Sequence, residues 1–274
     1  MPNPWEFVLE APVIALVVFL IGSYVYMVRV IGPMAVEAGE PPVTRKNIVC
    51  FAGAMTMLFV ASWWPMHQIG EQYLYSVHMF QHMVLSYFMP PLALLATPAW
   101  LLRTLIGSGR VYGVVRFLAR PVPAALLFNV SVMVTHIPQL VNASTSNALL
   151  HYSLHVMVVL TSLLMWMPVC GPLPEMRIGT LPTMIYLFAQ SIIPTVPAGW
   201  LTFAESAVYS AYDTPFRLWG ISLRNDQQLA GAVMKTGGTI FLWTIIVTLW
   251  FRRYTAGHGR EYEFRRVDPG TLPH

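Results

Sequence analysis

The stretch that decides the fold reads SVHMFQHMVLSYFMPPLALLATPAWLL and covers residues 76 to 102. It contains no Asp, Glu, Lys or Arg over 27 residues. About 20 predominantly apolar residues are enough to cross the hydrocarbon core of a bilayer as a helix. The stretch therefore predicts a membrane-spanning helix, and its first turns carry two histidines, His78 and His82.

Six further apolar stretches have lengths close to that of a membrane span. They cover residues 7 to 30, 46 to 64, 121 to 141, 148 to 170, 181 to 204 and 229 to 251. Hydrophobic residues make up 56% of the 274-residue chain and charged residues only 10%, against about 25% charged residues in soluble domains. We therefore predict an all-α integral membrane protein, a bundle of about seven transmembrane helices in contact with the lipid bilayer.

The basic residues are distributed unevenly between the predicted connections. Successive connections alternate between the two sides of the membrane, and one side holds only Arg217 and Arg224. The connections on the other side and the C-terminal tail hold Arg29, Arg45, Lys46, Arg103, Arg110, Arg116, Arg120, Arg177, Arg252, Arg253, Arg260, Arg265 and Arg266. Because basic residues concentrate on the cytoplasmic side of membrane proteins, this pattern predicts an outer N-terminus and a cytoplasmic C-terminus. The formal charge of +4 reports orientation, and no nucleic-acid partner is expected.

The chain divides into one transmembrane domain, residues 1 to 254, and a polar cytoplasmic tail, residues 255 to 274. No Gly/Ser linker or fixed-period repeat separates the apolar stretches. The first stretch lacks a basic flank and is expected to be a span, not a cleaved signal peptide. Proline removes a backbone donor and clashes with the preceding turn, so Pro90, Pro91 and Pro98 predict a kink or break in the third span. Pro194 and Pro197 predict the same in the sixth.

Six of the eight histidines are placed by this topology within about two helical turns of the outer membrane interface. They are His67 in the first outer loop, His78 and His82, His136 in the last outer turns of the fourth span, and His151 and His155. Two pairs have i, i+4 spacing, which puts both side chains on one side of a helix. Since ionisable residues within spans are costly and tend to be functional, the cluster predicts a metal site.

Methionines lie beside the same histidines, at Met66, Met79, Met83 and Met133. Thioether and imidazole ligands favour Cu(I), whereas carboxylates favour harder ions, so copper is the expected metal. Haem is not expected, because two stacked haems need histidines several turns apart, and here each pair is one turn apart. No phosphate loop, dinucleotide fingerprint or nucleophile elbow is present, which leaves hydrolytic and nucleotide chemistry without support.

Two further polar features lie outside this predicted site. Lys235 falls about two turns inside the seventh span, where a lysine needs a partner, and Glu10 and Asp226 are the candidates. Cys50 and Cys170 lie near predicted cytoplasmic helix ends. A reducing cytosol favours two free thiols, and a second copper-binding stop at the inner face is the alternative.

Several strings in this chain occur together and in order between about residues 60 and 235: Trp64-Pro65-Met66-His67, Tyr75 to Met83, Pro90-Pro91, His136-Ile137-Pro138, His151 to His155 and Asp226-Gln227-Gln228-Leu229-Ala230-Gly231. In these strings the chain resembles the multi-span bacterial cytochrome c oxidase assembly factors of the CtaG type. That family often has an acidic residue before the second fifth-span histidine and another after the outer-loop histidine, where this chain has Leu154 and Gln68. The resemblance implies a role in assembling a haem-copper oxidase by helping copper reach its catalytic subunit.

The first hypothesis is therefore an assembly factor in the bacterial plasma membrane, not an enzyme, that receives copper from a donor protein and delivers it to cytochrome c oxidase subunits. The first ligands would be His78, His82, His151 and His155, the entry or secondary ligands His67 and His136, and the soft relay ligands Met79 and Met83. Two alternatives stay open. One is a membrane oxidoreductase with haem or catalytic copper, and the other is a structural membrane chaperone that clamps an oxidase subunit without metal.

Overall fold

The structure is a computed structural model that describes the backbone of residues 3 to 267 and the side chains of residues 3 to 255. Within this part of the chain the regular structure is helical and no strand is present. The α-helices are α1 (Ala11–Tyr26), α2 (Gly32–Ala35), α3 (Arg45–Ser62), α4 (Met66–Gln72), α5 (Tyr75–Met83), α6 (Met89–Ala96), α7 (Ala99–Ile106), α8 (Arg110–Leu118), α9 (Pro121–Val134), α10 (Pro138–Ser144), α11 (Ala148–Cys170), α12 (Thr180–Ile192), α13 (Thr195–Thr202) and α14 (Leu223–Val267).

Five helical runs are long and apolar enough to cross a membrane. They are Ala11–Ala35, Tyr75–Ala96, Ala148–Cys170, Thr180–Thr202 and Leu223–Thr255. Two bent pairs raise the number to seven if each counts as one span: α3 with α4, bent by 43°, and α8 with α9, bent by 74°. The predicted all-α membrane fold is confirmed. The orientation of the termini stays a prediction. The end of the bundle that contains His78 and His151 is therefore called the histidine end, and the end that contains Arg103 and Arg120 is called the arginine end.

The third span is distorted where its prolines predict a kink or break. A π-helical turn, Val84–Phe88, joins α5 to α6, and the helix ends at Ala96, before Pro98. Pro90 has no N–H to donate to the carbonyl of Ser86 four residues earlier. The indole Nε1–H of Trp166 on α11 donates to that carbonyl at 3.1 Å. A neighbouring helix thus satisfies the freed backbone group, as the absence of water in a bilayer core requires.

The fourth span ends earlier than predicted, and His136 does not lie on it. Helix α9 ends at Val134, and α10 begins at Pro138. The hydroxyl of Thr135 donates to the carbonyls of Ser131 and Val132. Helical conformation is also disfavoured at Ile137, because the ring of Pro138 follows it. These local effects end the helix, so the prediction that placed His136 in helical turns is wrong. His136 lies in the connection between α9 and α10.

The sixth span breaks between α12 and α13, at Ile193-Pro194, as its prolines predict. Lys235 on α14 lies against this break: its Nζ donates to the Thr195 hydroxyl at 2.6 Å and to the Ser191 carbonyl at 3.2 Å. Neither acidic candidate, Glu10 or Asp226, bonds Lys235 in the described part of the chain, and the lysine instead has neutral oxygen partners. A helix break leaves carbonyl groups without a partner in the helix, and the Lys235 ammonium donates to one of them. Within a membrane both polar groups need such a partner, because no water is available.

Helix α14 packs against α5, α12 and α13. It contains 45 residues, which corresponds to about 67 Å at 1.5 Å per residue. Its backbone continues through the first part of the predicted tail, to Val267, whereas residues 268 to 274 lie outside the described residues. The division at residue 254 stays a prediction. Cys50 and Cys170 are both free thiols, and the Cys170 thiol donates to the Trp166 carbonyl at 3.6 Å.

Candidate metal centre

The two histidine pairs face each other across the contact between α5 and α11. Within each pair the ring centroids are close, 4.6 Å apart for His78 and His82 and 4.3 Å for His151 and His155. Between the helices, His155 lies 5.0 Å from His82 and 5.5 Å from His78. The i, i+4 spacing aims each pair to one side of its helix, and the fold turns those two sides toward each other.

Three of these histidines lie close enough together to be candidate ligands of a single metal ion. One ring nitrogen from each of His78, His82 and His155 lies within 4.8 Å of the others. A tetrahedral ion with metal–nitrogen bonds of about 2.0 Å holds its ligand atoms about 3.3 Å apart. The three nitrogens would have to move closer together to hold an ion, and a tetrahedral ion with three protein ligands keeps one coordination position open. We call these three residues the trihistidine group.

A second group lies beside the first and contains a carboxylate. Ligand atoms of His67, Glu71 and His151 also lie within 4.8 Å of one another, and the ring centroids of His67 and His151 are 5.6 Å apart. We call these three residues the Glu71 group. Sequence reasoning missed Glu71, although its position four residues after His67 on α4 is the same spacing that identified the histidine pairs.

Glu71 connects the two groups through its two carboxylate oxygens. Oε1 lies 2.9 Å from Nδ1 of His78, and Oε2 lies 3.1 Å from Nδ1 of His151. When Nδ1–H of a neutral imidazole donates to a carboxylate, Nε2 keeps its lone pair, and metal-binding histidines in proteins are usually oriented in this way. Glu71 therefore fixes the ring orientation and tautomer of one histidine from each group.

Several ring nitrogens of the cluster are buried without a hydrogen-bond partner among the described side chains. They are His67 Nδ1, His136 Nε2, His151 Nε2 and His155 Nε2. Buried polar atoms in native proteins nearly always have a partner, so these nitrogens are available to a ligand. The residues present therefore fit a metal ion chemically, by donor type as well as by spacing.

His136 and two methionines lie next to the trihistidine group but outside it. Met79, His82, Met83 and His136 line one small cavity. The Nδ1–H of His136 donates to the Val132 carbonyl at 2.7 Å, which leaves Nε2 as the free nitrogen. Both methionine side chains are buried here, whereas Met133 is 42% exposed and contributes no sulfur to this cavity.

A family model described as cytochrome c oxidase caa3 assembly factor (Caa3_CtaG) matches residues 22–256. The chain belongs to this family. The match includes all residues of the trihistidine and Glu71 groups. No curated protein and no solved structure gives a significant match to the chain.

In this assembly factor the start of α5, which carries His78 and His82, is held by a carboxylate from α14. Asp226 accepts hydrogen bonds from the backbone N–H groups of Tyr75 and Ser76, at 2.7 and 3.0 Å, and from the Ser76 hydroxyl. The first N–H groups of a helix have no partner within the helix, and a capping side chain satisfies them. Asp226 therefore acts as a cap supplied from a distant part of the assembly factor. The sequence predicted that it precedes the last span, whereas it lies in the first turn of α14.

Close packing between α4 and α5 brings Glu71 to His78 in the assembly factor. Gly70 makes this approach possible, because a Cβ at this position would overlap the Gln81 side chain and lie 3.2 Å from the His78 Cα. Gln81 is fully buried, and its amide donates to the Ala61 carbonyl at the end of α3. The glutamine between the two α5 histidines thus positions three helices and is not a ligand in either group.

The connection between α13 and α14 closes the histidine end of the assembly factor with three buried or half-buried polar contacts. Gln227 accepts from the Val208 N–H at 2.8 Å, and the Tyr212 hydroxyl donates to the Gly70 carbonyl at 2.9 Å. The Tyr209 hydroxyl donates to the His136 carbonyl at 3.2 Å. Burial raises the pKa of Tyr209 to about 12, so this phenol stays protonated and remains a donor at neutral pH.

Proposed function

We propose that this assembly factor binds copper in the trihistidine group and delivers it to a cytochrome c oxidase during assembly. The observation that carries the proposal is the convergence of His78, His82 and His155 from two helices to within 4.8 Å. The family supplies the assembly role, and the histidine cluster supplies the chemistry that such a role needs.

The ligand set favours a soft ion over a hard one. Three neutral imidazoles suit copper or zinc and offer little to Mg²⁺ or Ca²⁺, and thioether sulfur selects Cu(I) further. Met79 and Met83 line a cavity that also borders His82. They are placed to receive Cu(I) from the trihistidine group, with His136 as the nitrogen ligand beside them.

Delivery requires that the ion can leave. A closed four-ligand site of the structural type holds its metal, whereas a three-ligand site keeps a position open. In the trihistidine group that position is available to a ligand from an oxidase subunit or from a copper donor protein. Exchange through a shared ligand avoids release of free copper.

The proposed setting is the outer face of a bacterial plasma membrane. The basic residues Arg103, Arg110 and Arg120 belong to the arginine end of the bundle, whereas Glu10 and Glu71 belong to the histidine end. Basic residues concentrate on the cytoplasmic side, which puts the copper site on the outer side. There it can meet an extracytoplasmic copper donor and a newly inserted oxidase subunit.

Copper content of the assembled oxidase tests this role. In cells that produce the chain with His82→Ala and His155→Ala together, we expect oxidase that retains its haem but lacks most of its copper. The His258→Ala variant, which changes a histidine of the predicted tail, serves as the control and should give fully loaded oxidase. Normal copper content in the double variant would overturn the delivery role and favour a structural chaperone without metal.

A further inference from the structure

A polar vestibule leads toward the Glu71 group at the histidine end. Its volume is about 290 Å³, and its lining includes Glu10, His67, Gln68, Glu71, Gln72 and His151. His78, His82 and His155 do not line it. The Glu71 group therefore borders the polar opening, whereas the trihistidine group does not.

A smaller cavity of about 20 Å³ lies on the inner side of the same residues. It is lined by Glu71 and His151 together with His78, His82 and His155. Glu71 and His151 thus border both the vestibule and the inner cavity. An ion bound by the Glu71 group is already in contact with residues that touch the trihistidine group, since Glu71 Oε1 lies 2.9 Å from His78 Nδ1.

The charge of the vestibule favours the approach of a cation. Two carboxylates, Glu10 and Glu71, line it, and neither Lys nor Arg does. A cleft lined by charge of one sign raises the local concentration of ions of the opposite sign and their rate of association. Glu10 is held at the vestibule wall, where it accepts from the Tyr152 hydroxyl at 3.4 Å.

The two ligand sets differ in their preference for soft ions. The Glu71 group offers two imidazoles and one carboxylate, and the trihistidine group offers three imidazoles. Carboxylate oxygen is a harder ligand than imidazole and suits Cu(I) less. Transfer of Cu(I) from the Glu71 group to the trihistidine group is therefore favourable, and the ion keeps its oxidation state throughout.

We infer that His67, Glu71 and His151 form an entry site that captures Cu(I) from the vestibule and passes it inward to the trihistidine group. This inference rests on the proposed copper-binding function and adds a route and an order to it. His67 is the residue that isolates the entry step, because it belongs to the Glu71 group and is absent from the trihistidine group and the inner cavity.

The rate of copper loading tests the entry site. Cu(I) is presented as its bicinchoninate complex to the purified full chain in lipid nanodiscs, and its transfer is followed by loss of the visible absorbance of the complex. We expect the His67→Ala variant to reach the same final occupancy of one Cu(I) per chain, but at least about tenfold more slowly, because even losing a residue that only supports a metal ligand typically weakens metal binding by about 10- to 100-fold. His67→Gln, which keeps a polar side chain of similar size, should load slowly as well.

Gln72→Ala is the matched control, because Gln72 lines the vestibule on the same helix as His67 and belongs to neither ligand group. It should load at the natural rate. If both His67 variants load as fast as the natural chain, the entry site is refuted while copper binding by the trihistidine group stands. If the natural chain takes up no Cu(I), the proposed function fails and the entry site fails with it.

Discussion

The carboxylate of Glu71 lies 2.9 Å from Nδ1 of His78, so a residue of the short helix α4 orients a histidine of the third span. The other oxygen of the same carboxylate lies 3.1 Å from Nδ1 of His151 on α11. One acidic side chain thereby joins two helices of the candidate metal centre. The shared carboxylate therefore holds one histidine of each group in a fixed position beside the other group.

Replacing Glu71 with glutamine should weaken copper binding by about 10- to 100-fold. Residues that orient a metal-binding histidine typically contribute this much to affinity, and the amide carries no charge to hold the Nδ1–H tautomer of His78. Competition with a Cu(I) chelator measures the dissociation constant. Glu205→Gln, at an exposed position, is the control, and an equal loss of affinity in both variants would contradict the role of Glu71.

The Gly70→Ala variant should disturb the contact between Glu71 and His78, because Gly70 lies where α4 packs closely against α5. Alanine at this position overlaps the Gln81 side chain and approaches the His78 Cα, and overpacking of this kind typically costs about 1–3 kcal/mol. We expect a lower midpoint of thermal unfolding in detergent together with weaker copper binding. Gly113→Ala is the control, because nothing lies within 4 Å of a Cβ there. If the Gly70 variant is as stable as this control, α4 and α5 do not pack as described.

Removing the Asp226 side chain should destabilise the start of α5. Three donors from Tyr75 and Ser76 lose their acceptor, and loss of a helix cap costs about 0.5–2 kcal/mol. The Asp226→Ala variant should show faster hydrogen–deuterium exchange in the first turn of α5, as measured by mass spectrometry. Asp213→Ala removes an exposed partner of Arg217 and should leave that turn unchanged. Unchanged exchange in both variants would show that α5 does not depend on this cap.

The Trp166→Phe variant should lower the thermal stability of the protein without changing its affinity for copper. It removes the donor to the Ser86 carbonyl and leaves a buried acceptor unpaired, which costs about 1–3 kcal/mol. We expect reduced thermal stability with an unchanged dissociation constant for copper, because Trp166 belongs to neither ligand group. The control is Trp250→Phe, at an exposed position. Equal stability of the two variants would mean that the π-helical turn is satisfied in another way.

The helical fold and the histidine pairs could be predicted because both depend on local sequence. Long apolar stretches predict membrane spans directly. Spacing of four residues predicts that His78 and His82 share one helix face and that His151 and His155 share another. Whether the two faces meet depends on how α5 and α11 pack, which no local pattern encodes. The sequence therefore predicts which histidines share a face of each helix and does not predict how they group in space.

The residues that the sequence analysis misses or misplaces depend on helix breaks and on contacts between helices. Glu71 lies seven residues before His78 and 80 before His151 in sequence; the turn between α4 and α5 brings it to His78, and the packing of the helices brings it to His151 on α11. His136 was placed on a span because the apolar stretch continues past it, whereas Thr135 and Pro138 end the helix locally. Charge alone suggests an acidic partner for Lys235. The helix break at Pro194 instead provides two neutral oxygens, the Thr195 hydroxyl and the Ser191 carbonyl.

The most direct test of the central claim is the copper content of the purified chain after exposure to Cu(I), measured by elemental mass spectrometry. The natural chain is compared with the variant that carries both His82→Ala and His155→Ala, and thermal unfolding confirms that both are folded. We expect close to one copper per natural chain and almost none in the double variant. Equal copper in the two proteins, or no copper in the natural chain, would contradict it.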